Sequence, residues 1–353
     1  MPLAGISHDA EGMGSRGEKQ GMHMATPSTD RRIDKLIHLL VKNAMVVVPG
    51  PKIASEIGVT RFKVWEWIEK LRALGMEIRG VPAAGYQLMK IPDLLTPSLV
   101  RPELGAQTIG HVIVHYFRTE STNDVAFELA AEGAEHGTVV VAEEQTAGRG
   151  RLGRAWHSEK SSGIYMSVIL RPPLAPTAAP VLTLLAGVAA QQAVISSTGL
   201  AVDIRWPNDL LVNGKKICGI LTEMSAELDQ LHAVVLGIGM NVNHRQMPAE
   251  LKSTASSLRL ETNRAISRVQ VLVALLRELE RHYGLLLQEG STAITERWAA
   301  ASSFASGKRV RVATAAGDML ATTAGLDPSG ALRLRRDDGR EELLVAGEVV
   351  EVK

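Results

Sequence analysis

The sequence predicts a multidomain α+β protein built in three parts, and three observations carry that prediction. Positive charge is concentrated near the front: residues 31–92 hold eleven Lys or Arg against five Asp or Glu, a net of +6, in a chain of 353 residues whose overall charge is +1. Hydrophobic periodicity then changes from short helical patterns to strands alternating with long helical runs, as in a mixed α/β sheet. From residue 306 onward, period-two alternation between glycine turns marks a small all-β unit, 306–353.

The elements follow in order. Residues 1–30, rich in Gly, Ser, His and Met, lack the apolar centre of a secretion signal and are read as a disordered tail, with Met24 a candidate start. In "RRIDKLIHLLVK", Ile33, Leu36, Ile37, Leu40 and Val41 recur at helical spacing. "GPKIASEIGVTRFKVWEWIEKLRALGMEI" reads as helix, turn at Gly58, helix, with Thr60 as N-cap of the second and Gly75 as its end. The alternating "EIRGVPAAGYQLMK" adds a two-stranded wing, so residues 31–92 form a winged helix-turn-helix. Arg61 and Lys63 fall in the first turn of its second helix, where DNA would be met, whereas Glu66 and Glu69 dilute that face. Trp65 and Trp67 cannot both face the core of so short a helix. A module used only for protein contacts is the alternative.

Proline-rich "KIPDLLTPSLVRPELG" marks a boundary near residues 91–105. Residues 105–303 then read as one mixed α/β domain: strands in "HVIVHYF", "TVVVAEEQ", "GIYMSVIL", "VDIRWPNDLLVNGKKICGILTEM" and "LHAVVLGIGMNVN", and a capped helix in "STNDVAFELAAEG". "APVLTLLAGVAAQQAV", interrupted by Gln191 and Gln192, reads as a core helix too short to span a bilayer, so no membrane association is expected. The one cysteine, Cys218, excludes an intrachain disulfide and fits a reducing cytoplasm. "DDGREE" is a hairpin turn by its own chemistry.

The segment with the most distinctive chemistry is "GRGRLGRAW", Gly148 to Trp156, which leaves a strand carrying three arginines and three glycines with no acidic residue. Glycine lets backbone amides approach a ligand, and guanidinium forks match phosphate oxygens. The absence of a Lys-Ser or Lys-Thr ending excludes a Walker A loop, and G-x-G-x-x-G alone is weak. A solvated surface loop is the alternative.

"GRGRLGRAW", "STND", "WPND", "KKICGILTE" and "GIGMNVN" occur in the order and spacing of biotin protein ligases, and with the winged helix in front the chain resembles the bifunctional type that is also the biotin operon repressor. The resemblance covers about residues 31–353. It implies a central domain similar to class II synthetases and an SH3-like C-terminal β-barrel. It also implies an activity: ATP and biotin combine to biotinyl-5′-adenylate with Mg2+, and biotin passes to one lysine of the biotin carboxyl carrier protein of acetyl-CoA carboxylase. A homodimer promoted by the adenylate would bind operator DNA.

Carried over to this chain, Ser121, Thr122, Asn123 and Gln145 resemble the residues that hold the head of biotin, although Ser121 could simply cap its helix. Arg149, Gly150 and Arg151 match the stretch that closes over biotin and its adenylate. Lys216 matches the lysine at the biotin carboxylate and α-phosphate, with Gly219 and Gly239 passing close to the ligand. Arg151, Arg154, Trp156, Asn208, Asp209 and Asn241 fall on the nucleotide side, with Asp209 a candidate magnesium ligand and a turn-forming role the alternative for Asn208-Asp209. Arg149, Arg151, Arg154 and Lys216 would neutralise the approach of two anions. Arg205 stands where the family commonly has lysine, which keeps the charge but replaces a movable ammonium with a planar guanidinium. Two other readings remain: a ligase with a non-regulatory winged helix, and a lipoate ligase-like acyl transferase, which should lack both the arginine pattern and the winged helix.

Overall fold

The computed structural model describes residues 27–227, 231–314 and 317–352. Residues 27–30, expected in the tail, form the first turn of α1 (Pro27–Lys42), and the rest of that segment lies outside the described residues. The front module then follows the expected order: β1 (Val47–Val48), α2 (Gly50–Ile57), α3 (Arg61–Ala73), β2 (Ile78–Val81) and β3 (Gly85–Leu88). The three strands pair antiparallel in the order β1-β3-β2. Gly58 closes α2 in the left-handed region (φ 74°), and the Thr60 hydroxyl accepts from Lys63 N to cap α3. Ile33, Leu36, Ile37 and Leu40 join Ile53, Val64, Ile68 and Leu71 in one core; Trp67 points into it while Trp65 stays half exposed.

The proline-rich boundary is not a free linker. Thr96 leads into a helix, α4 (Pro97–Leu104), whose Val100 and Leu104 are buried in the central core. Proline tolerates the first turn of a helix, and the chain here is held by side chains as well. Asp34 of α1 accepts from Ser98 N (3.2 Å) and Ser98 Oγ (2.6 Å).

The central unit is a seven-stranded sheet in the order β4-β5-β6-β10-β9-β8-β7. Its strands are β4 (Ile113–Tyr116), β5 (Val139–Ala142), β6 (Gly163–Leu170), β7 (Asp203–Arg205), β8 (Asp209–Val212), β9 (Lys215–Ala226) and β10 (Leu231–Asn241). Only β4 and β5 pair parallel, joined by α5 (Thr122–Ala131) as a crossover; every other neighbour is antiparallel. One face is covered by α6 (Pro180–Thr198) and α8 (Arg268–Glu289), with α9 (Ser291–Ala301) against α6 and the short α7 (Leu258–Thr262) before them. The other face is covered by α5 over β5, β6 and β10. The part of that face on β8 and β9 is left for a cleft.

By length and composition the stretch 176–198 could cross a membrane, contrary to the expectation from sequence, yet most of it is buried inside the protein. Gln191, the polar interruption, is itself buried and donates to Val202 O (2.7 Å) and Ala301 O (2.8 Å), which satisfies the amide without breaking the helix. The last part is a five-stranded antiparallel sheet, β14-β13-β12-β11-β15, from β11 (Ser306–Thr314), β12 (Gly317–Leu326), β13 (Leu332–Arg335), β14 (Glu341–Leu344) and β15 (Glu348–Glu351). Gly339 (φ 84°) turns the β13–β14 hairpin, and β14 and β15 lie at the two ends of the ladder in this SH3-like unit.

A buried ionic centre ties the boundary segment to the central sheet. Arg268, at the start of α8, lies 2.8 Å from Glu143 Oε2, and neither side chain is exposed. Arg268 also donates to Gly163 O (3.0 Å) and to Asp93, both through Nε to the carboxylate (3.2 Å) and to its carbonyl. Glu143 Oε1 accepts from Leu95 N (2.8 Å) and lies 3.3 Å from His115 Nε2. His115 in turn meets Phe117 edge-on at 4.8 Å, and Phe117 belongs to the core of the winged helix. Burial alone would raise the Glu143 pKa, but Arg268 and His115 outweigh it and hold it at about 2.

That sign fixes a pH window: the stabilisation is complete above the ordinary value of 4.5 and is lost as pH falls towards about 2. Glu143→Gln removes one of the two carboxylates that face the buried Arg268 guanidinium and is expected to lower the unfolding free energy at neutral pH by about 3–5 kcal/mol, read by urea denaturation. The parent should lose stability more steeply than the variant as pH falls below 4.5; equal slopes would refute the assignment.

Candidate active site

The cleft takes its floor from a glycine pattern. Gly219 of β9 sits directly opposite Gly239 of β10, and Gly237 lies two residues along on the same face. A Cβ at Gly239 would stand 2.5 Å from the Trp156 indole, one at Gly219 2.9 Å from the same ring, and one at Gly237 2.3 Å from Asn123 Oδ1. Here the glycines admit side chains of the protein against the sheet. Gly237 escaped the sequence reading, although its two-residue spacing from Gly239 in "GIGMN" places both on one face.

The cavity above this floor is about 500 Å³, and every residue expected at the biotin and nucleotide sites lines it, from Ser121 to Asn241. The "STND" segment enters at the start of α5. Ser121 occupies the N-cap position without making a side-chain cap bond, so capping does not account for its hydroxyl. Gln145 Oε1 accepts from Thr122 N (2.9 Å) and Oγ1 (3.1 Å), and its amide donates to Ser158 Oγ (3.0 Å). Asn123 is fixed at both ends: Ser167 Oγ donates to its Oδ1 (2.6 Å) and its Nδ2 donates to Glu223 Oε2 (2.6 Å).

The arginine loop crosses the cleft as a tight excursion, with Gly150 N donating to Arg154 O (2.7 Å) and Trp156 N to Gly148 O (2.8 Å). Each guanidinium finds an oxygen on a different element. Arg149 forms a bidentate pair with Asp124 of α5 (2.7 and 2.5 Å) and faces Glu223 at 3.8 Å. Arg151 donates to Asn208 Oδ1 (3.2 Å), and Arg154 forks onto Glu348 of β15 (2.9 and 2.5 Å). Donation to Asp124 and Glu348 raises the pKa of Arg149 and Arg154, whereas burial lowers that of Arg151. Arg154 correspondingly depresses Glu348. Asp124, Glu223 and Glu348 were missed because each lies far along the chain from the arginine it pairs with, or in a motif read for other reasons.

Asp209 is an ionic hub rather than a turn residue. It opens β8, with Arg205 2.6 Å from Oδ2 and Lys216 Nζ 2.5 Å from Oδ1, the latter a charge contact not aligned as a hydrogen bond. Arg205 thus pairs with Asp209 in the place where the sequence reading left its role open. The Lys216 ammonium also stands over the Trp156 ring at 5.4 Å. Asn208 Nδ2 donates to Ile220 O (2.8 Å) and Asn241 Nδ2 to Ser256 O (3.0 Å), which ties the cleft rim to β9 and to the loop before α7. Residues 347–350 of the C-terminal sheet complete the wall.

Arg61 and Lys63 are elsewhere, on α3, Arg61 exposed and Lys63 half-buried. Lys63 pairs with Glu66 (2.8 Å) and Arg72 with Glu69 (2.5 Å), so both acidic residues of that helix are matched by its own cations.

Three family descriptions match in chain order: an HTH domain over residues 32–87, the biotin/lipoate A/B protein ligase family over 116–241, and the biotin protein ligase C terminal domain over 305–350. The chain is 39% identical over 313 residues to the bifunctional ligase/repressor BirA of Bacillus subtilis (strain 168), covering 88% of this chain and 96% of that one. It is 28% identical over 303 residues to the bifunctional ligase/repressor BirA of Escherichia coli (strain K12), covering 86% and 92%. Among solved structures, the biotin protein ligase from Aquifex aeolicus in complex with biotin and ATP superposes with a TM-score of 0.59 at 26% identity, over 68% of this chain and 98% of that one. The chain belongs to the biotin protein ligase family, in its bifunctional ligase/repressor form with all three parts present.

Gly239→Ala is expected to push Trp156 off the sheet, seen as a red shift in tryptophan emission with a stability loss of about 1–3 kcal/mol. Gly284→Ala, on α8 with open space around it, should be neutral or slightly stabilising.

Proposed function

We propose that this cleft forms biotinyl-5′-adenylate from biotin and ATP, and that the protein then transfers biotin to a lysine of a biotin carboxyl carrier protein, as a biotin–[acetyl-CoA-carboxylase] ligase. The observation that carries this reading is the arginine loop lying across a glycine-floored cavity beside Lys216. In the first step a biotin carboxylate oxygen attacks the α-phosphorus and pyrophosphate leaves with the bond electrons. In the second, a lysine ε-amine attacks the acyl carbon and AMP leaves. Two anions approach in the first step, so the work required is charge neutralisation more than proton transfer.

On this reading Thr122, Asn123 and Gln145, already fixed by one another and by Ser167, present the polar head site with Ser121 beside them. Arg149, Gly150 and Arg151 cover biotin and its adenylate and exclude water. Arg154, Trp156, Asn208 and Asn241 border the nucleotide. Lys216 meets the biotin carboxylate and α-phosphate, and Asp209 holds it and Arg205 in place. Both oxygens of Asp209 face cations, which does not fit a magnesium ligand; Mg2+ enters as the companion of the ATP phosphates.

The winged helix supports a second role: a biotin-dependent repressor of biotin synthesis genes, acting in the cytoplasm as a homodimer promoted by the adenylate. Two modules at fixed spacing would read a palindromic operator.

Incubation with labelled biotin and magnesium ATP should yield bound biotinyl-5′-adenylate, identified by mass; absence of the adenylate rejects the enzymatic reading. Arg151→Ala should release it faster with the fold intact, and Lys216→Ala should slow its formation. Operator DNA upstream of biotin synthesis genes should bind more tightly with biotin and ATP present, and less tightly as salt rises. Binding indifferent to ligand, or none, assigns the module to the non-regulatory form.

A further inference from the structure

At the edge of the cleft, where His157 also lines the cavity, three side chains with metal-binding chemistry converge as the arginine loop ends. His157, Glu159 and His244 each bring one donor atom to a common point, all within 4.8 Å of one another. His157 directly follows Trp156, and His244 lies just past the end of β10, so the group spans two segments 87 residues apart in sequence number, between 157 and 244. We propose that these three residues form a binding site for one divalent transition-metal ion of the zinc class.

The strongest indication is His244. Its side chain is fully buried, and its Nδ1 has no hydrogen-bond partner. A buried polar atom left without a partner is costly and calls for an explanation. Its other nitrogen, Nε2, is 3.4 Å from the Tyr165 hydroxyl, which itself donates to Glu159 O (2.8 Å). One tyrosine thus touches both the buried imidazole and the backbone of the carboxylate residue. Ser257 Oγ donates to His244 O (2.8 Å) and fixes that segment from the far side. Such outer contacts orient metal-ligating histidines.

The donor set selects the ion. Two imidazoles and a carboxylate suit zinc and its neighbours, whereas magnesium and calcium prefer oxygen alone. The ring centroids of His157 and His244 are 5.8 Å apart. Zinc–nitrogen bonds of about 2.0–2.1 Å would bring tetrahedral donors to roughly 3.3 Å from one another, so the group must draw in. His157 and Glu159 are exposed and can rotate to do so. Three protein ligands leave a fourth position for water. The bound ion would clip the exit of the arginine loop to the strand that carries Gly237 and Gly239, and so hold Trp156 on that floor.

The test uses the full chain, freed of metal with a chelator and titrated calorimetrically with Zn2+, with Co2+ as a spectroscopic probe of nitrogen coordination. One ion per chain is expected, bound at least about tenfold more weakly in His157→Ala and in Glu159→Ala. Both positions are exposed, so neither change threatens folding. His232→Ala, at the separate His232–Glu227 pair (3.5 Å), should bind as the parent does. No zinc uptake by the parent at stoichiometric concentration, or equal affinity in the parent and His157→Ala, overturns the proposal. Because the readout is metal affinity, its failure leaves the biotin ligase reading untouched, and the converse holds as well.

Discussion

Glu143 and Arg268 meet without access to water, and that contact ties the boundary segment that follows the winged helix to the catalytic sheet. Two charges in a low-dielectric interior are tolerable only when every remaining donor and acceptor is matched. The chain meets most of that demand with groups from otherwise separate elements, Asp93 and Leu95 of the boundary segment, His115 of β4 and the carbonyl that opens β6, and leaves Glu143 Oε2 facing the Arg268 charge alone. Glu143 is also two residues from Gln145, which orders the "STND" segment. A disturbance at the winged helix therefore has a short, packed route to the cleft through Phe117, His115 and Glu143.

Much of the fold was legible because local chemistry and tertiary outcome agree. Thr60 caps, Gly58 turns, and Gly339 makes its hairpin in the structure as the sequence alone implies. Of the two tryptophans on α3, only one could be buried, and only Trp67 is. The prolines of residues 91–105 read as a boundary and hide the helix within it, because proline reads as a breaker, whereas Pro97 at the first turn of α4 is compatible with a helix that the core then buries.

The site was legible as a set of residue types and not as a set of partners. Motif spacing brings Ser121 through Asn241 to one cavity, but the anions that hold the arginines come from three different elements, which spacing cannot reveal. This pairing has a chemical meaning. Guanidinium groups parked on carboxylates are neither repelling one another nor collapsing the cavity, and an incoming anion must compete with those carboxylates for them. Asp209 plays the same part for Arg205 and Lys216.

The apolar helix α6 has a consequence for biogenesis. It emerges from the ribosome early, yet α8, which shields it from one side, ends about ninety residues later. At roughly 5–20 residues per second, synthesis leaves this stretch of leucine, valine and alanine uncovered for several seconds. During that interval it is the segment with most to gain from a chaperone's grip and most to lose by meeting another nascent copy of itself.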